Sequence, residues 1–310
     1  MKTIIVTGAH GFVGSAVVKD LVASGHKVIS VVRKGNCDID DTIVWDIRTP
    51  YKGRNIKADI IIHAAAKVDD WADAKESHAV NVVGTQHVCA AFSGVQQIIY
   101  ISSASVYDPT NSDSIITEVS PAGTNLLNSY SETKYLGERV VEDSDIPGRI
   151  ILRPHIIYGP GDKTILPRLL KARKFGRFLV LGNANNTVSL THIDNLVHAI
   201  RAIVSRESAT GFDIFNIADA KSGKIKDILK NLKNVLHIEE GNLHIPKSLA
   251  TFLGLFLEKS YKLLHIHHAP LITPYIVEQM TASHTIDCAK AAAHFGYKPE
   301  VTYEIGFMNL

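Results

Sequence analysis

The chain has 310 residues, 45% of them hydrophobic and 21% charged, a composition that suits a globular protein with a sizeable core. With 33 basic residues against 31 acidic and a formal charge of +2, nothing in the charge balance points to nucleic acid or an acidic membrane as the main partner. The three cysteines, Cys37, Cys89 and Cys288, form no CxxC pair and no disulfide ladder, so a reducing, cytoplasmic compartment is expected.

Ile4–Val6 is too short an apolar run for a signal peptide, and no stretch of ~18 uncharged apolar residues is long enough to span a bilayer. Short β-branched runs then recur at Thr3–Thr7, Val28–Val32, Thr42–Trp45, Asp59–His63, Ile98–Ile101 and Ile150–Leu152. Helix-length segments lie between them at Phe12–Ala23, Ser77–Phe92 and Ser129–Glu142. This alternation predicts βαβ units, and hence an α/β fold with a doubly wound parallel (Rossmann) sheet buried on both faces. The second half is less regular. It suggests helices over Ile165–Lys174, Leu190–Ala202 and from Pro246 to about Leu264, strands at Phe178–Leu181 and Phe212–Ile217, and a loop over Gly182–Thr187. No linker separates the halves. A dinucleotide-binding domain is therefore expected over 1–157, with 188–217 returning to it. Residues 158–187 and 218–310 would form an interleaved substrate lobe.

Residues 7 to 14 read Thr-Gly-Ala-His-Gly-Phe-Val-Gly, directly after the first strand and into the first helix. In that context Gly8 permits a tight turn and Gly11 lets the backbone approach a pyrophosphate. Gly14 permits close helix–strand packing, and the helix start, with Phe12 and Val13, offers free N–H groups to phosphate. The acidic residue that holds the ribose of NAD ~20 residues further on is replaced by Arg33 and Lys34. Two cations suit a 2′-phosphate, so NADP(H) is the expected cofactor and NAD(H) the alternative. Asp46 and Ile47 follow the third strand. They either bracket an adenine or form an ordinary turn.

Tyr130 and Lys134 are four residues apart on a predicted helix, which puts phenol and amine on one face. An unperturbed phenol has a pKa of about 10, and a neighbouring ammonium lowers it. Ser103, just beyond the fifth strand, adds a hydroxyl at the strand end where open α/β sheets bind ligands, and Ser102 and Ser105 are alternatives to it.

The ordered set Thr7–Gly14, His63-Ala64-Ala65-Ala66, Asn81–Thr85, Ser102-Ser103 with Val106-Tyr107, Tyr130 with Lys134, and Arg153-Pro154 with Tyr158–Gly161 resembles the extended short-chain dehydrogenase/reductase family, also called the NAD-dependent epimerase/dehydratase family. The resemblance covers nearly the whole chain. It implies that Tyr130 is the proton donor or acceptor, that Lys134 lowers its pKa and binds ribose, and that Ser103 polarises the substrate oxygen. It further implies that Ala64, Ala65, Ala66, Asn81 and Ser102 belong to the cofactor site, and that Pro154 and the backbone near Ile157 meet the carboxamide. In this family the helices at Asn81–Phe92 and Tyr130–Val141 often form a homodimer's four-helix bundle.

Two departures narrow the chemistry. Family dehydratases resemble Thr-Asp-Glu where this chain has Ser103-Ala104-Ser105, so an elimination lacks its extra acid and base. Nucleotide-sugar enzymes usually carry an arginine for the diphosphate in the stretch that here runs Asn185–Leu196 without one. The pattern, including Ala269–Pro274 and Phe295–Pro299, instead resembles the 3β-hydroxysteroid dehydrogenase branch. The expected activity is hydride transfer between a secondary alcohol and a ketone on a hydrophobic 3-oxo-lipid or sterol-like molecule. The alternatives are a nucleotide-sugar 4-epimerase with retained NAD and a non-catalytic redox sensor.

Leu249, Phe252, Leu253, Phe256, Leu257 and Leu264 recur near helical spacing. Core packing, a lid over an apolar substrate and a weak membrane-surface contact helped by Lys247, Lys259 and Lys262 all fit that pattern. His265, His267 and His268 cluster in sequence with no carboxylate or cysteine beside them, so no metal site is expected. His10, inside the phosphate turn, carries no assigned role.

Overall fold

The computed structural model describes residues 1–35, 41–109, 115–162, 167, 170, 173–174, 177–207, 210–239, 241–266 and 268–309. Seven parallel strands form the central sheet: β1 (Thr3–Thr7), β2 (Lys27–Val32), β3 (Thr42–Val44), β4 (Ile60–His63), β5 (Gln97–Ile101), β6 (Gly148–Pro154) and β7 (Gly211–Ile217). Their spatial order is β7-β6-β5-β4-β1-β2-β3. This is the expected doubly wound α/β architecture, and the strand order reverses between β1 and β4. The carboxyl ends of those two strands therefore open the crevice where such sheets take ligands.

The Ile/Val-rich strands are buried on both faces because each face carries helices. Ile4, Val6, Ile60, Ile62, Ile99 and Leu152 point to one side, where α1 (Phe12–Ala23) supplies Val17 and Leu21. Helix α5 (Ile193–Val204) adds Leu196, Ile200 and Val204 to the same layer. Ile5, Ile61, Ile98, Tyr100 and Ile151 point to the other side. There they meet Val88 and Cys89 of α3 (Gly84–Ala91) and Val141 of α4 (Ser129–Glu142). The segment before α3 consists of α2 (Ala74–His78) and a π-helical turn, Ala79–Val83, so the single helix expected from Ser77 is interrupted.

Outside this sheet the strands beyond β6 are short. Arg177–Leu181 pairs with Asn242–Ile245 and Arg173–Lys174, and a separate core forms from Phe178, Val180, Ile228 and Leu232. Most of the helix expected over Ile165–Lys174 lies outside the described residues. Its end is corrected, since Arg173 and Lys174 are in a strand held by Phe178 and Arg177. Helix α5 starts at Ile193, later than the expected Leu190, because Thr191–His192 first pairs with Ile157–Tyr158. Helices α6 (Ile225–Val235), α7 (Lys247–Leu263), α8 (Pro274–Thr281), α9 (Ala289–Phe295) and the short α10 (Tyr303–Gly306) belong to this part.

Candidate active site

The turn after β1 is built from close backbone approaches. Gly8 has φ +70°, and a Cβ there would lie 2.7 Å from the Ala65 Cα and nitrogen. Its N–H donates to the Val31 carbonyl at 3.1 Å, and its carbonyl accepts from the Gly11 N–H at 2.8 Å. A Cβ on Gly14 would lie 2.2 Å from that same Gly8 carbonyl oxygen. The contact that requires glycine at 14 is thus helix against turn, a correction to the expected helix against strand. Gly11 is the N-cap of α1 and provides no side-chain cap, and the first turn holds no acidic residue. The N–H groups of the first turn are left for an anion, so the cradle fits a pyrophosphate. Phe12 and Val13 lean on the core while their backbone faces this turn. Ala64, Ala65 and Ala66, all half-buried, run along its other side.

At the outer end of the crevice Arg33 and Lys34 are exposed. Arg48, which sequence reasoning missed, grips the Asp46 carboxylate through Nε at 3.0 Å to both oxygens and through its backbone N–H at 3.1 Å. The Arg48 hydrogen bonds hold that carboxyl below its ordinary range, and the nearby charge of Arg33 adds to the effect. Ile47 is largely buried and packs against the start of α3, where a Cβ on Gly84 would come within 2.8 Å of its side chain.

Ser103 follows β5, and its Oγ accepts from the Ser105 N–H at 3.2 Å, capping a short turn. Asn128 caps α4 by accepting the Ser131 N–H at 2.8 Å, which fixes Tyr130 in the first turn. The structure brings the two expected hydroxyls near each other. Burial pushes the phenol pKa up, and the neighbouring Ser103 side chain opposes that shift. Lys134, only 1% exposed, points into the protein. Its Nζ donates to the Ile101 carbonyl at 2.6 Å and sits 3.9 Å above the Tyr100 ring. Burial lowers its pKa to about 7, against the charge of Glu138. In this arrangement the Ile101 carbonyl and the Tyr100 ring face hold the Lys134 amine, and burial is the main influence on the Tyr130 phenol.

A buried polar floor lies beneath. Ser102 donates to Glu138 Oε1 at 2.5 Å, and Arg153 donates to both Glu138 oxygens at 2.9 and 2.6 Å. The guanidinium lies 4.7 Å from the Tyr107 ring, and the Tyr107 hydroxyl donates to Asn216 Oδ1 at 2.7 Å. Ser102 thus positions Glu138. Asn81 has a similar role: its Oδ1 accepts the Lys67 N–H at 2.8 Å, and its Nδ2 donates to the Lys67 carbonyl and to Thr133 Oγ1. This clamps the segment that continues from Ala66.

His63 sits between the two sides. Thr85 Oγ1 donates to the Asn81 carbonyl at 2.7 Å, so it accepts from His63 Nε2 at 3.0 Å. His63 Nδ1 then accepts from Thr7 Oγ1 at 2.6 Å, and that oxygen takes the Ala65 N–H at 3.3 Å. Burial, with the charge of Lys134, pushes the imidazole down to about 3, which keeps it neutral.

Pro154 ends β6 and is buried. The chain then turns through His155 and Ile156, whose φ of +46° is unusual for a β-branched residue, to half-buried Ile157. Thr191 Oγ1 ties this corner to the His155 and Ile217 carbonyls at 2.8 and 2.9 Å. A pocket opens beside Ser105 and Ser131, with Ile116, Leu127 and Ile286 among its apolar walls and His155 at a polar one. His155 Nδ1 donates to the Ser189 carbonyl at 2.7 Å, and burial, together with His284, lowers its pKa to about 4. His267 and Cys37 lie outside the described residues. Cys89 and Cys288 are free thiols, and no cluster of three or more metal-type side chains occurs among the described residues.

Residues 4–218 match the family described as NAD dependent epimerase/dehydratase. A 2-alkyl-3-oxoalkanoate reductase from Shewanella oneidensis is 27% identical over 98% of this chain and 84% of its own length. The human sterol-4-alpha-carboxylate 3-dehydrogenase, decarboxylating, is 30% identical over 98% of this chain and 86% of its own. The crystal structure of a UDP-glucuronic acid 4-epimerase from Bacillus cereus with NAD has a TM-score of 0.76 at 20% identity, covering 99% and 96% of the two chains, and supports the fold. The resemblance to the 3β-hydroxysteroid dehydrogenase-like branch is borne out by these relatives, and the chain is an enzyme that belongs to the NAD dependent epimerase/dehydratase family.

Proposed function

We propose that the enzyme is an NADP(H)-dependent oxidoreductase that interconverts a ketone and a secondary alcohol on a hydrophobic 3-oxo acid or sterol-like substrate. The observation that carries this reading is the Ser103–Tyr130 hydroxyl pair beside an apolar pocket at the mouth of the sheet. When bound, the nicotinamide cofactor supplies or accepts the hydride. Ser103 and Tyr130 donate hydrogen bonds to the carbonyl oxygen as negative charge develops on it. A phenol whose pKa burial has raised is protonated at neutral pH and is ready to deliver that proton. In oxidation the same oxygen, as phenolate, takes the proton back.

The turn over Gly8, Gly11 and Gly14 would hold the pyrophosphate, with Ala64–Ala66 along the dinucleotide. Lys134 would hold the ribose, and the Pro154–Ile157 backbone the carboxamide. Asp46, already neutralised by Arg48, leaves Arg33 and Lys34 to meet a 2′-phosphate, which supports NADP(H) over NAD(H). The two relatives' names share one feature: the reacting oxygen sits on the carbon next to the one bearing the carboxylate. That supports a 3-oxo or 3-hydroxy acid here. We also assign residues 1–157 and 188–217 to the dinucleotide half, and 158–187 and 218–310 to the substrate lobe. A homodimer through α3 and α4 and a cytoplasmic location complete the reading.

Turnover of 2-alkyl-3-oxo acids and steroid ketones, followed at the reduced nicotinamide band with NADPH and NADH, tests the proposal. Reduction of at least one class with NADPH favoured is the expected result. Tight dinucleotide binding without turnover across the panel would replace it with a redox sensor, and tight retention of NAD with epimerisation of a uridine-diphosphate sugar would replace it with an epimerase.

A further inference from the structure

One hydroxyl on the pocket wall makes no hydrogen bond, although the groups around it are committed. No lysine or arginine stands among the described residues that line the pocket, so a polar group there is held by hydrogen bonds and not by an ion pair. The Tyr107 hydroxyl donates to Asn216 Oδ1. Asp108 Oδ2 accepts from Thr124 Oγ1 at 2.6 Å and from Asn125 Nδ2 at 2.8 Å, which pins the loop that brings Leu126 and Leu127 into the wall. His155 uses its Nδ1–H on the Ser189 carbonyl, and a pKa of about 4 keeps it neutral. Its Nε2 can therefore accept a hydrogen bond but cannot donate one.

Helix α8 supplies Tyr275 and Gln279 to the wall, with Gln279 beside the His155 imidazole. The start of α8 packs on the inner side of α7, where Ala250 is fully buried and a Cβ on Gly254 would come 3.1 Å from the Thr273 carbonyl carbon. The outer apolar stripe of α7 faces away, with Phe252 66% and Phe256 59% exposed, and none of it lines the pocket. That stripe forms no lid over this pocket.

Ser105 is the unpaired group. Its N–H donates to Ser103 Oγ at 3.2 Å, so the two serines are fixed on one tight turn just past the carboxyl end of β5. Ser105 lines the pocket, yet its own Oγ is buried and has no hydrogen-bond partner among the described residues. A buried hydroxyl with an unmade bond is destabilising, and native proteins keep few of them. Ligand pockets are mostly apolar, and a small number of placed polar groups give them their specificity.

We infer that Ser105 selects the substrate: its hydroxyl donates to the acyl oxygen of a 3-oxo acid or ester, while Ser103 and Tyr130 hold the 3-oxo oxygen. This rests on the reductase reading above and adds what separates a 3-oxo acyl compound from a plain ketone. Residues 103 and 105 share one turn, and the two oxygens of a 3-oxo acyl unit are on carbons two apart, so one compact group meets both hydroxyls. A plain ketone leaves the Ser105 hydroxyl unpaired. Sites built to bond a substrate oxygen discriminate against the analogue that lacks it. An ionised carboxylate and an ester carbonyl both accept from a hydroxyl, so the group recognised is an acyl oxygen in either form.

The test compares three substrates with NADPH: a 2-alkyl-3-oxo acid, its methyl ester, and the ketone that lacks the acyl group. Each is reduced by the parent and by Ser105→Ala. Alanine keeps the backbone N–H on Ser103 and removes the hydroxyl alone. For the acid or the ester, kcat/KM should fall about tenfold more than for the plain ketone. A selective loss on the acid alone identifies a carboxylate as the group read, on the ester alone an uncharged acyl oxygen, and on both either form. Dinucleotide affinity and thermal unfolding like the parent's show that the variant folds. Equal losses on all three substrates, or no loss, overturn the inference. So does a selective loss in Ser131→Ala in place of Ser105→Ala, which moves the role to the other serine on the wall. A parent that reduces only compounds without the acyl group overturns the inference and leaves the reductase reading standing. A parent that reduces none of the three, nor the steroid ketones, overturns that reading and this inference with it.

Discussion

The two ends of the crevice hold their charges in opposite ways. At the catalytic end Lys134, Glu138 and Arg153 are buried at 1, 3 and 3% exposure, and each has a fixed partner. At the nucleotide end Arg33, Lys34 and Arg48 stand in solvent, and only Asp46 is pinned. Buried charges interact strongly and tolerate no loss of partner, whereas exposed ones are screened and exchangeable. On the proposed function, the comparison teaches that reaction geometry would be fixed by the interior, while cofactor choice would be left to a rim that single substitutions could rewrite.

The sharpest way to break this picture is Tyr130→Phe. Turnover should fall by about 10²–10⁴-fold while dinucleotide affinity changes little. Steady-state rates and equilibrium binding measure the two separately, and near-normal rates would remove Tyr130 from its role. Glu138→Gln comes next. It strands the Arg153 guanidinium inside the protein and should cost about 3–5 kcal/mol in urea unfolding. Adding Arg153→Met should recover part of that loss, because both halves of the pair are then apolar or neutral. If the single variant unfolds like the parent, the floor is not the rigid element described here.

Gly14→Ala should be milder but still felt. The new methyl meets the Gly8 carbonyl, so about 1–3 kcal/mol of stability should go, and dinucleotide affinity with it. Thermal unfolding with and without NADPH reads both. At the rim, Arg33→Asp should shift the NADPH:NADH affinity ratio by roughly tenfold toward NADH, more at low salt than at high. An unchanged ratio in titration calorimetry would move cofactor choice elsewhere.

The smallest effect expected is a pH dependence at Asp219, which lies in neither charge group. Burial raises its carboxyl from 3.8 to about 6, although it accepts bonds from the His192 N–H, Asn195 and Tyr158. Between those pH values the folded state binds more protons than the unfolded one, so stability falls as pH rises through that window. Asp219→Asn should flatten this slope, and denaturant midpoints taken from pH 4 to 7 would show it.

Much of the sheet was legible from residues alone, because strands buried on both faces read as runs such as Ile60–Ile62, and α1 and α4 matched the expected bounds. The hydroxyl pair was legible too, since motif spacing placed Ser103 at a strand end and Tyr130 at a helix start. The direction of Lys134 was not: spacing sets the helix face, but the Ile101 carbonyl and the Tyr100 ring come from a strand distant in sequence. Arg48 escaped for a related reason, as its partner Asp46 was read as an adenine contact or an ordinary turn aspartate, with no ion pair in either reading. Glu138 and Arg153 did leave a trace. Glu138 is one turn past Lys134 on the same face, and a charged residue inside an apolar strand requires a buried partner. The exposure of the α7 stripe was hidden, because periodicity alone does not say which apolar face meets the body of the protein.

The imidazole between Thr7 and Thr85 has a consequence for kinetics. With His63 and His155 holding their neutral forms above about pH 3 and about pH 4, neither changes charge in the range where dehydrogenases are assayed. Of these buried groups around the hydroxyl pair, Lys134, at about 7, is the one that titrates there. An inflection near neutrality in a rate profile would then trace to an amine losing its proton, and the histidine textbooks would suggest first would be a spectator.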